Sequence, residues 1–99
     1  MGDLPGNRFW ARQIVEEAGV AEEIDVARVS AARTDDVYEG LKWTLARDPA
    51  VGVRIPSGDG AFMLYKTSSS WTAEGLPVVR VAYTYDEDQV VFLAVKVDH

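Results

Sequence analysis

The sequence contains no cysteine and a single histidine, His99. The first absence excludes disulfides, thiolate metal sites and cysteine nucleophiles. The second excludes the two or three imidazoles of the usual catalytic zinc centre. Positive charge is also scarce, with ten Lys and Arg against sixteen Asp and Glu, a net charge of −6. That balance argues against a dominant phosphate-tracking surface, which needs a dense basic footprint, but leaves room for a local basic patch. No apolar run approaches the roughly 20 residues that span a bilayer. The opening MGDLPGNRFW lacks a basic stretch followed by an apolar one, and Gly2 lacks the Ser or Thr of a myristoylation signal. A soluble cytoplasmic protein without membrane contact is therefore expected, with no metal and no cofactor.

What is present reads as one α+β domain over residues 1–99, since a chain of 99 residues does not divide into two independent cores. Trp10, Ile14 and Ala18 recur every four residues, so the reading gives a helix over Arg8 to Ala18 with Gly19 as its C-terminal glycine. Ala21 to Ala32 reads as helix in part, although Ile24 to Val29 also has the look of a short strand. A firmer helix starts at Thr34, read as its N-cap. Asp35 and Asp36 occupy its first turn, Arg47 its last, and Val37, Leu41 and Leu45 form an apolar stripe. Asp48-Pro49 stops it. From Val51 the period changes to two. Val53 to Ile55 is a short strand ended by Pro56, Ser57 to Gly60 a turn, and Ala61 to Lys66 a strand. A polar loop over Thr67 to Leu76, carrying Trp71, leads to Pro77–Tyr85 and Val90–Val97, strands joined by a tight turn at Asp86 to Gln89. The expected architecture is N-terminal helices packed on one face of a three- to four-stranded antiparallel meander, residues 1–33 forming a helical extension. Val81, Leu93 and Val95 are the expected strand partners of the helix stripe.

Few constellations carry chemistry. Gly58-Asp59-Gly60 sits in a turn and not between strand and helix, so it reads as a turn and not as a phosphate loop. Ser68 to Ser70 have no nearby base for a nucleophilic triad. Asp86, Glu87 and Asp88 offer oxygens to a hard cation but read more simply as a solvated turn. The strands hold more: Lys66, Arg80 and Lys96 come from three neighbouring strands, with Tyr83 and Tyr85 following Arg80. Converging on one face, the cations would stabilise a phosphorane-like transition state, and a tyrosine would serve as acid, base or stacking platform. Kept apart, they are ordinary outward-facing residues of a one-sided sheet. Register decides. If Tyr85 pairs with Val90 without interruption, Lys96 joins the face of Tyr83; a one-residue bulge moves it to the face of Arg80.

The run Tyr38-Glu39-Gly40-Leu41-Lys42-Trp43-Thr44-Leu45-Ala46-Arg47-Asp48-Pro49, then Gly52, then Gly75-x-Pro77-Val78-Val79-Arg80-Val81-x-Tyr83 and Val90-Val91-x-Leu93-Ala94-Val95-Lys96, resembles the RelE/ParE superfamily of type II toxin–antitoxin systems. The resemblance covers about residues 36–97. In that family a helix ending in D-P-x-x-G leads to an antiparallel sheet. Its third strand carries Arg-x-x-Tyr, and its last strand a β-branched pattern. The resemblance implies either mRNA cleavage on the ribosome by sheet side chains or poisoning of DNA gyrase, together with a cognate antitoxin partner. It assigns Arg80 the role of the strand arginine, Lys66 that of a basic strand residue, and Tyr83 that of the family tyrosine, with Lys96 beside them. Asp98 stands where many members carry positive charge, and the first 30 residues read as helical where the family has a strand.

Two functions are thus expected in competition. One is a toxin acting on translation or gyrase. The other is a non-catalytic module of the same fold, with Phe9, Trp10 and Ile14 as a hydrophobic patch for homodimerisation or another protein partner.

Overall fold

The computed structural model describes residues 11–31, 33–67 and 76–98. The elements are β1 (Gln13–Glu16), α1 (Ala18–Ser30), α2 (Thr34–Arg47), a single 3₁₀ turn at Pro49–Val51, β2 (Val53–Ser57), β3 (Gly60–Lys66), β4 (Val78–Tyr85) and β5 (Gln89–Asp98). The protein is α+β, as expected. Its sheet is larger than expected and mixed: five strands in the order β1-β5-β4-β3-β2, with β1 parallel to β5 and the other pairs antiparallel.

The extra strand comes from the segment read as the first helix. Ile14 and Val15 are adjacent β-branched residues, stiff at χ1 and suited to a pleated surface. Pairing places Ile14 beside Val90 and Val15 beside Val91. Ile14 packs against the core, and the backbone of Gln13 and Glu17 continues the pairing by donating to Asp88 and Phe92 carbonyls. Phe9, Trp10 and Trp71 lie outside the described residues, as do Ser68 to Ser70. Gly19 caps nothing; it lies in the first turn of α1. The ambiguous stretch after it is helix, with Val20, Ile24 and Ala27 buried along one side. Residues 11–31 are therefore woven into the domain and are not appended to it.

Helix α2 forms as its periodicity requires, burying Val37, Tyr38, Leu41 and Leu45. Thr34 begins the helix instead of capping it, Arg33 standing at the cap, and the Thr34 hydroxyl turns back to donate to the Ala31 carbonyl at 2.7 Å. Both helices cover one face of the sheet, and their stripes meet Val79, Val81, Tyr83, Val90 and Phe92. Leu93, expected in this core, is 38% exposed, and Phe92 takes its place. Strand β2 runs through Pro56, which an edge strand tolerates because its outer N–H has no ladder partner to lose. Gly58 turns the chain into β3 with φ of 54°, a left-handed conformation that favours glycine.

Candidate functional site

Among the described residues, no helix packs on the second face of the sheet. Strand parity assigns its side chains: Arg80, Ala82 and Thr84 of β4 point away from the buried Val79, Val81 and Tyr83. Lys66 of β3 pairs with Arg80, and Arg80 pairs in turn with Lys96 of β5. Three cations therefore stand in register across three strands. With strands about 4.8 Å apart, the row spans roughly 10 Å.

A bulge makes the row. Tyr85 pairs with Val90 and Tyr83 with Phe92, but Ala82 pairs with Ala94, so Leu93 is an extra residue in β5. The insertion inverts the faces of everything after it. Val95 and Val97 pack against the core, and Lys96 joins Arg80. Six apolar residues in succession, Val90 to Val95, break the strand alternation and are the sequence signal of this irregularity.

Like charges placed directly opposite destabilise a sheet. Arg80 is relieved by Asp98, two residues beyond Lys96 on the same strand and face, through an ion pair from its Nη2. Its Nε is buried and has no hydrogen-bond partner among the described residues. Neither Lys66 nor Lys96 makes an ion pair among the described residues. Open grooves flank the row. One of about 470 Å³ is lined by Lys66, Arg80 and Tyr65 together with Gly52, Val53 and Leu64. Another of about 240 Å³ runs along Ala82, Ala94 and Lys96.

Charge is segregated by layer, which the total of −6 conceals. Helices α1 and α2 hold six acidic and three basic residues. The five strands of the sheet hold Arg54, Lys66, Arg80 and Lys96 against Glu16 and Asp98. The hairpin turn at the far end of β4 is acidic, and its Asp86 carboxylate is occupied in accepting from the Asp88 and Gln89 amides, which hold it below the usual carboxylate range. Among the described residues, no group of three His, Asp or Glu is arranged to hold a metal ion.

Tyr83 does not belong to the row. It is fully buried beneath the helices, on the opposite face from Arg80. Its hydroxyl donates to the Pro49 carbonyl at 2.6 Å and accepts from the Gly52 amide at 3.2 Å. Burial pushes the phenol up to about 12, the Gly52 bond opposing. Position 52 must be small: a Cβ there would lie 2.5 Å from the Tyr83 hydroxyl and 2.8 Å from the Leu64 carbonyl oxygen. The Asp48-Pro49-x-x-Gly52 and Arg80-x-x-Tyr83 segments thus bind each other through one hydroxyl. Tyr85 is also apart from the row, exposed near the hairpin with the Arg12 guanidinium 5.9 Å from its ring centre.

The row thus assembles Lys66, Arg80 and Lys96 and leaves out both tyrosines. Such an arrangement grips oxyanions along a line, with a planar guanidinium suited to two oxygens at its centre. Comparison with known proteins finds no matching family model, no matching curated protein and no matching solved structure. No helix of the described residues is long and apolar enough to cross a membrane.

Proposed function

We propose that this chain is a toxin-like domain of the RelE/ParE type that acts on translation, holding an mRNA backbone along Lys66, Arg80 and Lys96. The observation that carries the reading is the bulge at Leu93, which sets three cations in register on the sheet face that no helix of the described residues covers. Strand β1 supports it as well, since a first strand precedes the helices where the sequence alone read as helical. So does the bond between Tyr83 and the Pro49–Gly52 turn, which gives both quoted motifs one structural purpose. Arg80 and the two lysines stabilise charge on a phosphate undergoing transfer, and a lysine amine or the Asp98 carboxylate beside Arg80 is the group at hand to move a proton. A toxin of this type is kept in check by a cognate antitoxin, a protein partner proposed with it.

Induced expression in a bacterial host tests the reading, coupled to primer extension on mRNA from a reconstituted translation reaction. The wild type should arrest growth and leave cleaved mRNA, while Arg80→Ala folds normally and does neither. Absence of both arrest and cleavage with the wild type ends the nuclease reading.

One observation favours a second reading, a non-catalytic binding module of the same fold. Tyr83 and Tyr85 stand apart from the row, no histidine among the described residues joins it, and Arg80 is engaged by Asp98. Under that reading the protein binds its partner without arresting growth.

A further inference from the structure

We propose that Asp98 is a resident competitor for the cation row, occupying Arg80 in place of a phosphate and thereby selecting ligands that bring several negative charges in line. The inference rests on the RNA-binding reading above and names how that site is controlled.

Arg80 and Asp98 form an ion pair, each side chain less than half exposed, on the sheet face that bears the row. The pair is formed by Nη2 alone, and the Nε beside it is buried without a partner among the described residues. A carboxylate so placed engages only part of the guanidinium. An oxyanion that displaces Asp98 from Nη2 and draws the neighbouring Nε out to it would take both donors in the bidentate manner that arginine favours. Asp98 also lies on β5 two residues from Lys96, so its charge offsets the neighbouring cations.

Competition of this kind discriminates by charge and length. A single inorganic phosphate contacts one part of a row that spans roughly 10 Å and must displace Asp98 with that contact alone. A nucleic-acid strand keeps its hold on Lys66 and Lys96 while one phosphate exchanges with the carboxylate, so the displacement is supported from both sides. Asp98 therefore suppresses binding of small anions and leaves a strand as the favoured occupant.

The test is fluorescence anisotropy with a short labelled single-stranded RNA, and competition by inorganic phosphate, on wild type, Asp98→Asn, Arg80→Ala and the double variant. Thermal melts confirm that each is folded. Asp98→Asn should bind the RNA about tenfold more tightly, the scale of one hydrogen bond to a charged group. It should also become sensitive to inorganic phosphate that leaves the wild type unaffected. In the Arg80→Ala background the same substitution should give a clearly smaller gain, only the part that comes from removing a negative charge beside Lys96. An equal gain in both backgrounds would mean that Asp98 acts only as a diffuse charge, and the inference falls. If Asp98→Asn changes nothing while Arg80→Ala weakens binding, Asp98 is no competitor but the row remains the RNA site. If no variant binds the RNA, the inference falls together with the reading on which it rests.

Discussion

Lys96 stands opposite Arg80 because Leu93 is an extra residue in β5. Without it Lys96 would share a face with Tyr83, under the helices. The bulge therefore has two effects at once: it seats Val95 and Val97 against the core and assembles the cation row.

Deleting Leu93 should invert the last part of β5. Lys96 would turn toward the core and Val95 toward solvent, so the chain must bury a charge or give up the pairing. The loss should be at least about 2 kcal/mol in urea denaturation, and RNA binding should go with it. Leu93→Ala keeps the register and removes only a side chain that is 38% exposed, so its cost should stay under about 1 kcal/mol with binding intact.

Leu41 is 2% exposed at the centre of the α2 stripe. Leu41→Ala should cost about 2–5 kcal/mol, the range for a core leucine whose surroundings do not fully collapse. A loss under about 0.5 kcal/mol, measured the same way, would contradict the placement of α2 on the sheet.

Helix α2 was legible because its apolar residues keep a 3.6 period and its ends carry charges and a proline stop. Strand β1 was not. Ile14 fits a helical stripe with Trp10 and Ala18 as well as it fits a strand, and what decides is parallel pairing with β5, distant in the sequence. The members of the row were legible as residue types. Their alignment was open, since it turned on one inserted residue. The exclusion of Tyr83 was open to reading: residues three apart on a strand point to opposite faces, so Arg80 and Tyr83 cannot share one within an unbroken β4. Its bond to Pro49 and Gly52 was not, because the partners lie more than 30 residues away.

Tyr83→Phe should cost about 1–3 kcal/mol by leaving the Pro49 carbonyl and Gly52 amide without their partner. Gly52→Ala should cost about 1–3 kcal/mol by crowding the same hydroxyl and the Leu64 carbonyl. Because both changes act on one hydroxyl, the double variant should lose less than the sum, as a double-mutant cycle by denaturant unfolding will show. Tyr83 lies on the opposite face from the row, so RNA affinity of folded Tyr83→Phe should be unchanged.

Alkaline pH probes the same tyrosine. Burial raises Tyr83 from about 10 to about 12, and burial with a bond to the Glu16 carboxylate raises Tyr38 as well. The folded protein keeps phenolic protons that the unfolded chain releases, so stability is full below about pH 10 and declines as the pH rises toward 12. For Tyr83 the decline amounts to no more than about 3 kcal/mol. Tyr83→Phe should therefore show a shallower fall of its denaturation midpoint between those two pH values.

The most direct test of the account is a titration of the isotope-labelled protein with a short single-stranded RNA, followed residue by residue by NMR. Shift changes should concentrate at Lys66, Arg80 and Lys96, extend to Leu64, Ala82 and Ala94 beside them, and fade as salt is raised. Val26, Val29 and Trp43 on the helical side should stay still. Changes confined to the helices, or a spectrum indifferent to RNA, would contradict the claim that the sheet face bearing the row is the functional surface.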